Sequence, residues 1–201
     1  IMGLVPKSIV WRFLQLGINN PGAWAGNTAK YLLNRTLGNN QTYLQSLVAF
    51  TFLLDYVPNW EFSYGKRGLF QYQSFIPFDT AEDTFSEILR VSQKSGLPSY
   101  LGVMKRHKPD TFLFSHAVDG FSIALDFKVR RNEKLVKLMD ELNQIVLEGN
   151  GRFYFAKDSA LTPDVTTRYL GEETIAKFRK LKAKVDPANI LQTDLYKRCF
   201  G

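Results

Sequence analysis

Lys157 stands at the end of a short strand pattern, in a setting where a cation can do chemistry. The segment Gly149–Ser159 opens with glycines, continues through an aromatic strand pattern and ends in an Ala-Lys-Asp-Ser turn. The strand is predicted at Arg152–Ala156, and Thr162 with Pro163 marks a helix start shortly afterwards. A lysine between a strand end and a helix start is placed to reach a ligand.

The elements that must position Lys157 follow a regular order. Strand patterns cover Leu69–Ile76, Tyr100–Lys105, Phe121–Val129 and Arg152–Ala156. An amphipathic helix follows the first strand, with Thr80 as its predicted cap, and a second follows the third strand, with Asn132 as its predicted cap. The order βαββαβ predicts an α+β, ferredoxin-like antiparallel sheet with both helices on one face.

Helical segments are expected on both sides of this unit. Residues 1–64 form a helical and apolar N-terminal part, in which the aromatic stretch 43–64 is read as core or apolar loop rather than a membrane-touching lid. Residues 65–157 form the ferredoxin-like domain. Residues 158–201 form a C-terminal helical segment, which includes a basic helix ended by Asp186 and Pro187.

Strand alternation predicts which side chains the helices leave uncovered. The apolar sets on the strands should face the helices, so the polar and small residues between them should share the opposite face. We call this surface the open face; its predicted members are Gln71, Gln73, Ser122, Ala124, Asp126 and Tyr154. The second strand is ambiguous, because Leu101 and Val103 share a face with Lys105. The alternative to a ligand surface is an ordinary solvated sheet face.

Composition excludes several classes of protein. The 201 residues carry a formal charge of +7, which favours an acidic partner. Cys199 is the single cysteine and His107 and His116 are the two histidines, so neither a disulfide framework nor a metal cluster is expected. The longest apolar run, Leu47–Leu54, is too short for a membrane span. We expect a cytoplasmic protein, with association to a membrane surface left open.

A basic ferredoxin-like sheet is also typical of RNA-binding modules. Such modules need a basic residue, then Gly-Phe, then a second stacking aromatic on the third strand. Here Asp119 supplies an acid at the first position and Ile123 an aliphatic side chain at the last. The basic cluster of the C-terminal helix is read as a solvated helix face. No nucleic-acid partner is expected.

Several segments together resemble a known family. They are Leu69–Pro77, Tyr100–Lys105, Gly120–Phe127 and Gly151–Ser159, together with the Asp186-Pro187 ending. In this order they look like the substrate domain of FAD-linked oxidases of the vanillyl-alcohol-oxidase superfamily, and within it the sugar and polyol oxidases. The resemblance covers about residues 60–198. It implies that the open face covers the isoalloxazine ring of FAD.

The resemblance also implies roles for individual residues. The family's essential lysine would be Lys157, a catalytic and cofactor-binding group, and its pocket tyrosine would be Tyr154, also catalytic. Substrate binding would fall to Lys105, Gln71, Gln73 and Ser122, and Gln73 and Ala124 would also border the cofactor. Two positions depart from the closest relatives. Ser122 stands where they have asparagine, and Ala124 where some have a cysteine that covalent inhibitors attack.

The implied function is oxidation of a CH–OH group by hydride transfer to FAD. The substrate would be a sugar, a polyol or a lipid-linked sugar. The sequence contains no Gly-rich pyrophosphate-binding stretch, so we expect the C-terminal half of a two-domain flavoenzyme, inactive without the FAD-binding domain that would be its partner. The alternative is a non-catalytic ferredoxin-like module that binds an anionic ligand or nucleic acid.

Overall fold

The structure is a computed structural model that describes residues 6–52, 57–129 and 133–201. The chain divides into two compact units, Ile1–Phe70 and Gln71–Gly201. The helices are α1 (Val10–Gly17), α2 (Asn20–Leu33), α3 (Leu47–Thr51), α4 (Ala81–Lys94), α5 (Glu133–Glu148), α6 (Pro163–Leu170), α7 (Glu172–Val185) and α8 (Asp194–Cys199). The strands are β1 (Leu69–Pro77), β2 (Leu101–His107), β3 (Gly120–Lys128) and β4 (Arg152–Phe153).

The α+β prediction is confirmed. The four strands form one sheet in the order β2-β3-β1-β4, and both β1–β4 and β2–β3 are antiparallel. Elements β1 to β4 follow the chain order βαββαβ, with α4 and α5 as the two helices. This order puts β2 and β4 at the two edges and the long strands β1 and β3 in the middle.

The helices cover the apolar face of the sheet, as alternation predicts. The buried residues of this layer are Tyr72, Ile76, Ile123, Leu125 and Phe127 from the strands and Phe85, Ile88, Leu138, Leu142 and Val146 from the helices. A buried polar link crosses the core. The Tyr72 hydroxyl donates to Asn143 Oδ1 at 3.2 Å, and Asn143 Nδ2 donates to the Ala160 carbonyl at 2.8 Å.

The helix starts differ in part from the sequence interpretation. Thr80 precedes α4 as predicted, but its hydroxyl donates to the Gly149 carbonyl at 2.9 Å rather than capping the helix. This bond ties the start of α4 to the end of α5. Asn132, the predicted cap of α5, lies outside the described residues. Thr162 does cap α6, because its hydroxyl accepts from the Val165 N–H.

The first unit is helical, as expected, but part of it is more exposed than the sequence suggested. Asn19 caps α2 by accepting from the Gly22 N–H at 2.9 Å. Trp11 of α1 packs edge-on against Phe62, with ring centroids 5.6 Å apart. The sequence predicts core or apolar loop for the stretch 43–64. Large apolar side chains between residues 43 and 52 are exposed, so core is wrong for that part, whereas Tyr64 is buried. Within the described ranges, no helix is long and apolar enough to cross a bilayer.

Candidate functional site

Gln71 and Gln73 of β1 are held by side chains of the neighbouring strand β3. Gln71 Nε2 donates to Asp126 Oδ1 at 3.0 Å, and Gln73 Nε2 donates to Ser122 Oγ at 3.3 Å. Because a carboxylate only accepts, the Gln71 amide must direct its nitrogen toward Asp126 and its carbonyl oxygen away from it. The structure thus brings together four of the residues predicted for the open face.

A small apolar patch lies between these two hydrogen bonds. Ala124 is the β3 residue between Ser122 and Asp126 on the same face, and the antiparallel register places Val103 of β2 opposite it. Both side chains are short and half-buried. The centre of the open face is therefore formed by short apolar side chains and is lower than its surroundings. The amides of Gln71 and Gln73 border it on the β1 side.

The β2–β3 register settles the face on which Lys105 lies. Lys105 pairs with Ser122, Val103 with Ala124, and Leu101 with Asp126. Paired residues of antiparallel strands project to the same side of the sheet, so Lys105 belongs to the open face. Its side chain is exposed. The face of β2, which the sequence left ambiguous, is therefore resolved: Lys105 shares the open face with Ser122.

Lys157 lies on a 3-10 turn and not directly after a long strand. The prediction of a strand over Arg152–Ala156 is wrong beyond Phe153, because the chain turns at Tyr154 and forms the 3-10 helix Phe155–Lys157. The Lys157 N–H donates to the Tyr154 carbonyl at 2.9 Å and closes this turn. Phe153 and Phe155 alternate with Tyr154 as residues of a strand would, so the sequence pattern gives no sign of this turn.

Contacts from the C-terminal segment hold this turn on both sides of Lys157. The Phe155 ring packs against Phe114 and Phe200, with centroids 5.5 and 5.9 Å away. On the other side, Arg198 of α8 pairs with Asp158 at 2.5 Å and donates to the Asp158 carbonyl at 3.1 Å. Residues before and after Lys157 are therefore both anchored, which limits where its side chain can go.

The charges of the face influence one another. Burial raises the pKa of Asp126, and its bond from Gln71 and the positive charge of Lys157 oppose that rise. Burial lowers the pKa of Lys157, the Asp126 carboxylate raises it, and Lys105 lowers it further. Lys157 therefore interacts electrostatically with residues of both β2 and β3. The open face contains a buried carboxylate, a half-buried lysine and an exposed lysine.

Tyr154 packs in an aromatic cluster next to the open face, and the sequence interpretation did not predict this cluster. Its ring lies 4.9 Å from His116 and 6.2 Å from Phe75, measured between centroids. Phe75 in turn contacts both histidines, His107 at 4.8 Å and His116 at 4.6 Å. His107 also reaches β3, because its Nε2 lies 2.8 Å from Ser122 Oγ. The two histidines thus connect Tyr154 to the β3 side of the site.

The sequence contained a signal for His107 that was not used. His107 follows Lys105 by two residues, so the alternation that places the lysine on the open face places the histidine there as well. The register puts Gly120 opposite His107, which leaves room for the imidazole to lie across β3 toward Phe75. His116 comes from the loop between β2 and β3, and no strand pattern predicts its position.

Ser122 occupies a different layer from the other predicted residues. Its side chain is fully buried, whereas Gln73 and His107, which both contact its hydroxyl, are partly exposed. Ser122 therefore supports two groups of the open face from beneath. In this arrangement its hydroxyl orients Gln73 and His107, and its predicted role in binding a substrate stays a prediction.

No family model matches this sequence. The chain is similar to decaprenylphosphoryl-beta-D-ribose oxidase of Mycolicibacterium smegmatis, with 31% identity over 165 residues, or 82% of this chain. It is also similar to an uncharacterized protein of Streptomyces coelicolor, with 28% identity over 118 residues, or 58% of this chain. The chain spans about a third of each relative, 35% of the first and 31% of the second.

Proposed function

We propose that this chain is the substrate-binding part of an FAD-linked oxidoreductase that oxidises a CH–OH group of a sugar, a polyol or a lipid-linked sugar. The observation that carries the proposal is the similarity of 82% of the chain to a phosphoryl-ribose oxidase. The open face adds independent support, since it groups cations and fixed amides around a low apolar centre.

The residues of the open face suit a flavin. An isoalloxazine ring is flat and polar at its edge, and it gains negative charge when reduced. Ala124 and Val103 provide a flat apolar floor, and Gln71 and Gln73 provide amides at its border. Lys157 provides a half-buried cation. We assign Lys157, Gln73 and Ala124 to the cofactor side of the site.

The bound flavin would supply the hydride acceptor, and this chain would supply charge and orientation. Lys157 would stabilise negative charge that develops beside it, an effect that is larger in a partly buried site than in water. The Asp126 carboxylate favours the charged form of that lysine, because it opposes the decrease in the pKa of Lys157 caused by burial. Lys157 therefore acts as a fixed cation.

The substrate side of the proposed site is the polar border of the face. Lys105 and Tyr154 would orient hydroxyl groups of the substrate, with Gln71 and Gln73 donating and accepting hydrogen bonds. Ser122, proposed from the family pattern as a substrate-binding residue, acts here through Gln73. A sugar or polyol offers several hydroxyls, so a site of amides, a phenol and a lysine suits this class of molecule.

In the proposed enzyme most of the FAD contacts belong to a second domain. This chain has no Gly-rich pyrophosphate-binding stretch, and it corresponds to 35% of the similar oxidase. We therefore expect the chain by itself to bind FAD weakly and to be inactive. The required partners are the FAD-binding domain and a small-molecule or lipid-linked substrate, which in the lipid-linked case brings a membrane surface with it.

The test is flavin reduction in the full-length protein. We expect it to purify with flavin absorbance, and we expect that absorbance to bleach when the protein is mixed without oxygen with xylitol or with a short-chain prenylphosphoryl-ribose. Ethylene glycol, which has the functional group but not the carbon skeleton, is the control. A full-length protein without flavin, or one whose flavin none of these probes reduces while dithionite does, would contradict the proposal.

A further inference from the structure

We propose that His107 is the group that accepts the substrate hydroxyl proton at the open face, held in register by Ser122. This inference rests on the proposed function and names a catalytic residue for it. Oxidation of a carbinol removes two electrons with the C–H hydrogen, as hydride to the flavin, and releases the O–H proton. That proton needs an acceptor. A charged lysine and a neutral glutamine cannot accept it. The Asp126 carboxylate is buried and already accepts a hydrogen bond from Gln71.

The geometry fixes one side of the His107 ring. Its Nε2 lies 2.8 Å from Ser122 Oγ, and the same oxygen accepts from Gln73 Nε2 at 3.3 Å. A serine oxygen has two lone pairs and can accept from both groups. With hydrogen on Nε2, the imidazole donates to Ser122 and keeps a lone pair on Nδ1. The hydrogen bond persists when Nδ1 takes up a proton, so proton uptake requires no rearrangement.

Packing fixes the plane of the ring. Phe75, itself buried, meets His107 with its centroid 4.8 Å away and the two planes inclined by 61°. Gly120 lies opposite His107 in the sheet and has no side chain to compete for this space. A ring held by a hydrogen bond at one nitrogen and an aromatic contact on its side is pre-oriented, which is what an efficient catalytic base needs.

The charged groups around His107 favour its neutral form. Burial lowers the pKa of His107, and positive charge from His116 on the β2–β3 loop, and from Lys105 and Arg106 on its own strand, lowers it further. The elements packed against it otherwise contribute uncharged contacts, Phe75 from β1 and Ser122 from β3. A neutral imidazole at neutral pH can accept a proton, whereas a protonated one cannot.

The main test is the pH dependence of flavin reduction in the full-length protein, measured without oxygen by stopped flow with xylitol or the prenylphosphoryl-ribose. In the wild type the rate should rise as His107 loses its proton and then become constant. His107→Phe keeps a ring against Phe75 but removes the base. We expect it to slow reduction by about 10²- to 10⁴-fold, the usual contribution of a general base, and to abolish the rise with pH.

His116→Phe is the matched control. It replaces the other histidine that packs against Phe75. Within the described residues, the histidine that hydrogen-bonds to Ser122 is His107 and not His116. The rise with pH should persist in this variant and move to higher pH, because a positive charge that lowers the pKa of His107 is removed. If His107→Phe kept the wild-type rate and pH profile, the proposal would be overturned while the proposed function stood.

A second measurement does not depend on the flavin. Imidazole ¹⁵N chemical shifts of this chain should show neutral His107 with its hydrogen on Nε2, and Ser122→Ala should change those shifts while leaving His116 unaffected. Neutral His107 with hydrogen on Nδ1 would overturn the proposal, because Nδ1 could not then accept a proton. A full-length protein that bound no flavin would overturn the proposed function and this assignment together.

Discussion

Asp126 is a buried acidic residue that connects the fold to the open face. It is a carboxylate with 4% of its surface exposed, bonded to Gln71 and coupled to the charge of Lys157. Burial raises its pKa, which means that the charged form is disfavoured where it stands. Stability alone does not favour a buried charge of this kind, so it is expected at positions where function requires it.

Asp126→Asn should therefore stabilise the chain at neutral pH. Because the pKa is raised in the folded state, the folded protein loses stability as pH rises through that pKa, and asparagine removes this loss while keeping an oxygen for Gln71. We expect a gain in the free energy of unfolding at neutral pH, which disappears at acid pH. Urea denaturation at both pH values measures it.

Ser122, on the same strand as Asp126, provides the control for this prediction. Ser122→Ala removes a buried polar group from the same strand and face without changing charge, so its effect should not depend on pH in the carboxylate range. If Asp126→Asn lowered stability at neutral pH, or if its effect were the same at acid and neutral pH, the account of a costly buried charge would be wrong.

At the level of elements, the close approach of β1 and β3 shapes the site. A Cβ atom on Gly120 would lie 2.0 Å from the Ile76 carbonyl oxygen, so no other residue fits where β3 begins. The Phe78 N–H donates to the Asp119 carbonyl at 3.0 Å and locks the strand ends together. This approach brings Phe75 beneath His107 and sets the spacing of the face.

Gly120→Ala should disrupt the sheet and destabilise the chain by about 1–3 kcal/mol or more, the range for overpacking at a rigid backbone. Gly102→Ala is the matched control on the adjacent edge strand, where the new Cβ would meet Leu125 Cδ2 at 3.4 Å, close to ordinary contact. Thermal unfolding of both variants tests this. Equal melting temperatures for the two variants would contradict the argument from close approach.

The sequence predicted the elements that alternation and helix periodicity encode. The face carrying Gln71 and Gln73 followed from a period of two in β1, and the register then placed Lys105 with them. Tertiary contacts decided the rest. β4 ends early because Phe155 packs into a cluster built by Phe114 and Phe200, which are distant in sequence. A pattern local to one strand contains no information about such partners.

The burial of Ser122 and the contacts that His107 makes with Ser122 and Phe75 could not be predicted from the sequence for the same reason. Alternation placed Ser122 on the open face, but it could not predict that Gln73 and His107 would cover it. His116 reaches Phe75 from a loop with no periodic pattern. Composition suggested that two histidines were too few for a metal site, and it offered no indication that both would contact one aromatic ring.

At the scale of the whole molecule, the two units differ in how much apolar surface they cover. In the second unit the sheet, α4 and α5 enclose a continuous core. In the first, Trp24, Tyr43, Leu44 and Phe50 are among many large apolar side chains that are more than two-thirds exposed. Soluble monomers rarely leave such surface uncovered, which agrees with the proposal that this chain works together with a further domain.

The net charge of +7 also belongs to the whole molecule. Lys105 and Lys157 of the open face contribute part of this positive charge, and the basic residues of α7 contribute another part. Those of α7 lie on a helix with partners of its own, such as the Lys177–Glu173 pair at 2.7 Å and the Lys182–Asp186 pair. The charge is thus distributed over distinct surfaces, and on the open face it lies beside the amides of Gln71 and Gln73.

The most direct test of the central claim, that the open face carries out the chemistry, is the rate of anaerobic flavin reduction in full-length Lys157→Ala compared with Lys94→Ala. Lys94 is an exposed lysine in the last turn of α4, away from the open face. We predict that Lys157→Ala slows reduction by about 10²- to 10³-fold, as loss of one charge-stabilising donor does elsewhere, and that Lys94→Ala matches the wild type. Equal rates for all three proteins would contradict the account.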